Sequence, residues 1–147
     1  MSIKELVDKK DIIFSDEITD KKDALYFLAN HLYTNKVITD IDEFIKEVYR
    51  REEVGPTGFG KGVAIPHAKS NVVNETNLTI LKLDKAIKWE SIDSGDVNII
   101  FLISVPEKNA NQNHLRMLSK IAERLVDDEF ISDLLKSNTS EEILKIL

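Results

Sequence analysis

No cysteine occurs in the 147 residues, so neither a disulfide nor a thiolate zinc site is available to this chain. No block of lysine and arginine appears, and the net charge is −6. A nucleic-acid binder would show a basic face, and this sequence offers none. Apolar runs such as Ile99 to Ile103 are far too short to cross a bilayer. The first ten residues carry acids and no apolar signal core. Repeats, low-complexity tracts and a plausible linker are also lacking. What remains is a chain 42% hydrophobic and 31% charged, an ordinary globular balance that argues against disorder. Its length suits one domain with a real core, here residues 1–147. The chain reads as soluble and cytosolic.

Glycine and proline are scarce, five and three residues, and they are concentrated. Gly55, Gly58, Gly60 and Gly62 fall together, bracketed by Pro56 and Pro66. A short apolar run, Val63-Ala64-Ile65, leads to Pro66 and then His67. Glycine lets a ligand approach backbone N–H groups closely. Proline ahead of His67 fixes the backbone there and is expected to end the strand. The pattern predicts an irregular, N–H-rich loop feeding a strand that presents His67 at its end, an arrangement suited to anions.

Around this segment, helix and strand patterns alternate. Ile12 to Phe14 reads as a short strand. Asp20 is placed to cap a helix reaching about Thr34, with Ala24, Leu25, Leu28 and Leu32 on one face. Asp40 and Glu43 form a capping-box spacing for a second helix ending near Arg51, striped by Ile41, Phe44, Ile45 and Val48. Leu78 to Leu83 has strand character, and Val97 to Val105 suits a strand buried on both faces and ended by Pro106. Asn109 to Asn113 reads as a loop. From about His114, Leu115, Leu118, Ile121, Ala122 and Leu125 trace an amphipathic helix. Phe130, Ile131, Leu134 and Leu135 mark another, and Thr139 with Glu142 caps a last one. The fold expected is a single α/β domain.

Three chemistries compete for the glycine segment. Gly55 to Gly62 nearly fits the P-loop spacing Gly-x-x-x-x-Gly-Lys-Ser/Thr. Gly62, however, stands where the magnesium-binding hydroxyl belongs, and Pro56 removes an N–H from the cradle. The order is also wrong, since a P-loop leaves a strand and opens a helix. A metal site would need His67 and His114 to meet a carboxylate such as Glu52, Glu53 or Asp93, and no close ligand spacing supports it. The third chemistry makes His67 a nucleophile towards phosphorus. A neutral imidazole attacks well near neutral pH, its second nitrogen held by a backbone carbonyl. Arg51 would supply a fixed guanidinium fork, and Thr57, Gly58 and Gly60 a hydroxyl and N–H groups for phosphate oxygens. His114, at an expected helix start, would stand where N–H groups and the helix dipole also favour an anion.

The run Arg51-Glu52, then Thr57 through Pro66 and His67, resembles the signature of fructose/mannitol-type enzyme IIA domains, such as the fructose-specific IIA component. These belong to the bacterial phosphoenolpyruvate-dependent sugar phosphotransferase system. Ile87-Lys88-Trp89, Asp93 to Val97, Phe101 to Ile103, Val105-Pro106 and Asn113-His114-Leu115 also follow the family pattern in order, so the resemblance covers essentially the whole chain. It implies a mixed β-sheet with helices on both faces. It implies that the phosphohistidine carrier HPr donates a phosphoryl group to His67, at Nε2. A IIB component then receives it, usually on a cysteine, and the membrane component IIC couples sugar entry to phosphorylation. His67 matches the phosphorylated residue, Arg51 and His114 the active-site arginine and second histidine, and Thr57 the loop hydroxyl. No cofactor, metal, nucleic acid or membrane insertion is implied. No IIB or IIC segment is fused to this sequence, so those partners are expected as separate chains.

A regulatory IIA-like module of the nitrogen-related branch would use the same site, with the phosphorylation state of His67 controlling binding to another protein. The Trp89 region and the Val97–Pro106 segment lean towards the fructose branch. The sugar is not readable, because a IIA domain does not touch it. His31, in mid-helix, reads as structural or solvent-facing, and Trp89 as packing. Phe59 suits either partner docking or an inward-tucked ring.

Overall fold

The computed structural model describes residues 3–108 and 110–147, and the side chains of 110–114 lie outside the described part. The apolar run starting at Val97 becomes β6 (Val97–Pro106), the spine of a six-stranded mixed sheet. Antiparallel to it lies β5 (Asn77–Ile87), which in turn pairs in parallel with β1 (Ile12–Ser15). On its other side β6 pairs in parallel with β3 (Val63–Ala64) and with β4 (His67–Ser70). A short strand, β2 (Gly58–Gly60), closes an antiparallel hairpin against β3.

Alternation along β6 divides the core into two. Ile100 and Leu102 join Ala64, Ala68, Leu81 and Leu83 under α2 (Lys21–Thr34) and α3 (Ile41–Val54). Ile99, Phe101, Ile103 and Val105 face the opposite layer, built from α1 (Ile3–Leu6), α4 (Ala110–Leu125), α5 (Asp128–Lys136) and α6 (Ser140–Ile146). A strand buried on both faces has no solvated side, which is why its sequence is almost continuously apolar. The expectation of one α/β domain with helices on both faces of a mixed sheet matches this architecture.

Helix starts follow the local chemistry read from the sequence. Asp20, Asp40 and Thr139 each accept a hydrogen bond from the backbone N–H three residues on, at Asp23, Glu43 and Glu142. Each satisfies a donor that the first turn leaves without an intrahelical partner.

Four expectations change. First, α3 runs three residues beyond Arg51, to Val54, so Arg51 sits within the last turn. Second, the segment from Asn109 to Asn113, read as a loop, is helical from Ala110. His114 is therefore in the second turn of α4 rather than at its start, and the argument from free N–H groups at a helix terminus does not apply to it. Third, the buried face of α4 is Met117, Ile121 and Leu125, while Leu115, expected on it, is 63% exposed. Fourth, Pro66 interrupts its strand without ending it. Val63 and Ala64 pair with Ile99 and Ile100, and His67 and Ala68 pair with Ile103 and Ser104 in the same register. His67 thus opens β4. A short 3₁₀ turn, Lys9–Asp11, and α1 lacked the length or periodicity to be read in advance.

Candidate functional site

Arg51 and His67 meet at the end of α3, where the helix delivers the chain into the glycine segment. The guanidinium donates from Nε to His67 Nε2 at 3.0 Å and from Nη1 to the Gly55 carbonyl at 3.0 Å. The second bond folds the side chain over its own helix terminus, where a cation opposes the partial negative charge of the last carbonyls. Across the ring, His67 Nδ1 lies 3.0 Å from the carbonyl oxygen of Ile65. That oxygen only accepts, so Nδ1 carries the proton and Nε2 presents its lone pair to Arg51.

Backbone alternation puts the Ile65 carbonyl on the Thr57 side of its strand, away from β6. Within this strand Ile65 N–H donates to Thr57 O at 2.8 Å, while Ile103 N–H donates to the carbonyl of Pro66 at 3.0 Å. Pro66 keeps its acceptor facing β6 but has no N–H, so the ladder opens for one residue. Two residues after Ile65, His67 folds its ring back onto the carbonyl. The Ile65 carbonyl therefore sets the tautomer of the imidazole.

Thr57 is a hub of this arm. It is buried, its carbonyl receives Ile65, and its hydroxyl accepts from the indole N–H of Trp89 at 2.9 Å. The ammonium of Lys21 lies 4.8 Å from the Trp89 ring centroid and pairs with Glu52 at 2.6 Å and Glu90 at 2.7 Å. Burial pulls the Lys21 ammonium down, but pairing with Glu52 and then Glu90 outweighs it, leaving its pKa above the ordinary lysine value. Glu52 has a side chain only 7% exposed. Neither of its oxygens has an aligned hydrogen bond among the described residues, so the nearby lysine charge is what compensates its burial.

The glycines expected to line a phosphate have other work. The Gly58 N–H donates to the Glu90 carbonyl at 2.9 Å, and a Cβ on Gly58 would come within 2.5 Å of Ser91 Cβ. Its lack of a side chain allows two backbones to touch. Gly60, at φ +105°, turns the hairpin beside Asp93. Asp93 accepts from the Lys61 N–H at 3.0 Å, the Gly95 N–H at 2.9 Å and the Ser91 hydroxyl at 2.8 Å. The Gly95 and Lys61 amides, with Ser91, hold its carboxyl below the ordinary range. The bonds described for Thr57 and Gly58 build the hairpin arm, and Gly60 turns it.

The structure brings His67 and Arg51 together and places Thr57 one backbone bond behind them. The side chain of His114 lies outside the described residues. Phe59 is half-buried and packs against the α4 layer. Among the described residues no cluster of three or more histidines and carboxylates could hold a metal ion, and no helix is long and apolar enough to cross a membrane. Sequence reasoning missed Lys21 and the support role of Glu52. A lysine in the first turn of a helix carries no signal by itself, since its partners stand tens of residues away.

A family profile described as "Phosphoenolpyruvate-dependent sugar phosphotransferase system, EIIA 2" matches residues 5–147. The fructose-like EIIA component of Escherichia coli K12 is 31% identical over 120 residues, 82% of this chain and 80% of that protein. The 2-O-alpha-mannosyl-D-glycerate-specific EIIABC component of the same organism is 30% identical over 148 residues, all of this chain but 22% of that protein. The chain thus spans about a fifth of the length of the first curated relatives it matches. Among solved structures, the nitrogen regulatory protein IIA-Ntr of Neisseria meningitidis superposes with TM-score 0.88 at 26% identity, covering 98% of this chain and 97% of that one. Enzyme IIA of mannitol from E. coli, solved with phosphorylated enzyme IIB, gives 0.79 at 16% identity over 95% of each, a likeness of fold.

Proposed function

This chain belongs to the EIIA type 2 family of the phosphoenolpyruvate-dependent sugar phosphotransferase system, and from that membership we propose that it is a phosphocarrier loaded on His67. The observation that supports the reading most is the pair of contacts bracketing the ring, Arg51 on Nε2 and the Ile65 carbonyl on Nδ1. The donor is the phosphohistidine of HPr, the acceptor a IIB component, and a membrane IIC component uses the acceptor for sugar uptake.

In the loading step the Nε2 lone pair attacks phosphorus. The phosphorus–nitrogen bond of the donor breaks, and its electron pair returns to the donor imidazole. Nδ1 keeps its proton throughout, so His67 needs no base. The ring gains positive character, which the Ile65 carbonyl dipole stabilises. Arg51 Nε must leave the Nε2 lone pair as phosphorus arrives, and the phosphoryl oxygens offer the guanidinium a better, charged acceptor beside the same nitrogen. Unloading reverses these motions towards IIB. Phosphoryl transfer relies on positioning and charge stabilisation, and this site supplies both. His114 is assigned the second-histidine role on the match of its motif.

The test is intact mass after incubation with phosphoenolpyruvate, enzyme I and HPr. An acid-labile phosphoryl group mapping to His67, absent from His67→Ala, is expected. A chain that takes no phosphoryl group, or takes it elsewhere, overturns the reading. A regulatory role is the second reading, favoured by the superposition on IIA-Ntr. Transfer from the phosphorylated chain to a fructose-type IIB supports transport. Phosphorylation without onward transfer, together with a partner bound in one phosphorylation state only, supports regulation.

A further inference from the structure

We propose that Lys21 is a positioning residue for the His67 site, its one ammonium supporting both of the arms that grip the imidazole. The first arm runs through charge. Lys21 lies 2.6 Å from Glu52 Oε1, and Glu52 is the next residue after Arg51 in the last turn of α3. A buried carboxylate deprived of the one cation that pairs with it among the described residues is driven towards water. That movement carries the helix turn, and with it the guanidinium on His67 Nε2. The second arm runs through packing and hydrogen bonds. Lys21 sits over the Trp89 ring, Trp89 donates to Thr57, Thr57 O accepts from Ile65, and the Ile65 carbonyl orients His67 Nδ1.

Local preference does not explain this lysine. Lys21 is the first residue of α2, at the positive end of the helix dipole, where a cation is disfavoured. Its side chain is only 14% exposed, so it has also lost much of its hydration. Two carboxylates and an indole face offset both penalties, and all three partners stand directly behind the site. Trp89 is the one tryptophan of the chain, and its N–H and its ring face are both engaged in this single construction.

The kinetic consequence rests on the phosphocarrier reading of His67, whereas the geometric consequence does not. The experiment therefore uses two readouts on Lys21→Met, Lys21→Arg and Glu52→Gln. The first is the ¹⁵N and ¹H signals of the His67 ring, recorded with no phosphoryl donor. The second is kcat and KM for phospho-HPr. Lys21→Met is expected to shift or broaden the His67 Nδ1–H signal and to lower kcat about tenfold, the scale of a small misplacement at a reacting centre. KM is expected to stay within about twofold. Lys21→Arg restores both, and Glu52→Gln moves both in the same direction by less. A lysine that only stabilised the fold would lower the melting temperature and leave the ring signal in place, and that result overturns the proposal. Should Lys21→Met not fold, an unchanged ring signal in Glu52→Gln overturns it equally. If wild type accepts no phosphoryl group yet Lys21→Met still moves the His67 signal, the phosphocarrier reading fails and the positioning role stands.

Discussion

His31 and His67 are both part-buried histidines whose two ring nitrogens lie near a partner, and the partners differ in charge. His31 gives its Nε2–H to Asp11 at 2.7 Å, a carboxylate with a side chain 3% exposed. The second oxygen of Asp11 accepts from Asn77, which in turn accepts from Thr79. Nδ1 of His31 faces the Asn35 amide at 3.4 Å. This network ties the 3₁₀ turn before β1 to the last turn of α2 and the start of β5. His67 has its neutral acceptor on Nδ1 and a cation on Nε2. A carboxylate beside a ring repels an incoming phosphoryl group, whereas a guanidinium beside a lone pair attracts one and can transfer its bonds to it. The sign of the neighbouring charge separates a staple from the nucleophile proposed at His67.

The sharpest way to break that comparison is to delete each ring. His67→Ala is expected to abolish phosphoryl acceptance with little change in melting temperature, because the ring is half-buried at a strand start and carries no core. His31→Ala is expected to leave acceptance at the wild-type rate while costing about 2 kcal/mol of stability, from a buried carboxylate left with Asn77 alone as its side-chain donor. A phosphoryl group on the His67→Ala chain, or lost acceptance in a folded His31→Ala chain, would reverse the two roles. Thermal unfolding and mass measured on the same samples decide it.

Arg51 comes next in size. Arg51→Ala removes the charge proposed to follow the phosphoryl group and is expected to slow loading by about 10²-fold, the usual scale for losing one preorganised donor to a transition-state oxygen. Arg51→Lys keeps the charge but loses the planar fork, so it recovers only part of the rate. A single-turnover rate with phospho-HPr measures both. Equal rates for wild type and Arg51→Ala would mean that the Nε2 contact is a resting-state bond with no part in transfer.

Much of the fold was legible because its signals are local. Asp20, Asp40 and Thr139 cap the helices whose starts they mark, and the apolar run from Val97 is buried on both faces. The candidate site was legible at His67 and Arg51, which the structure brings into contact, because their spacing and the glycines between them form a motif. Three things were not. Pro66 reads locally as a strand terminator, yet register with β6 resumes at His67, because the pairing partner continues past it. The glycines suggest an anion cradle, while at Gly58 the cause is Ser91 pressing on the backbone, a neighbour remote in sequence. The Lys21–Glu52–Trp89 support depends on three segments meeting, and no window of sequence contains it.

The smallest expected effect concerns how the two histidine regions are secured. The carboxylate of the His31 region is buried, whereas that of the glycine hairpin, Asp93, is exposed and gathers the Gly95 and Lys61 amides and the Ser91 hydroxyl. Those bonds favour the charged carboxylate and depress its pKa below the ordinary value. A group depressed in the folded state contributes stability above its unfolded pKa, about 3.9, and that contribution disappears as pH falls through the lower, folded value. Wild type should therefore be more stable than Asp93→Ala near neutrality, and the gap should narrow only below about pH 4. Urea midpoints for both chains across that range measure it. A gap that stays constant down to strong acid would show that Asp93 acts through packing, leaving Gly60 and Gly62, both at positive φ, to hold the hairpin turn unaided.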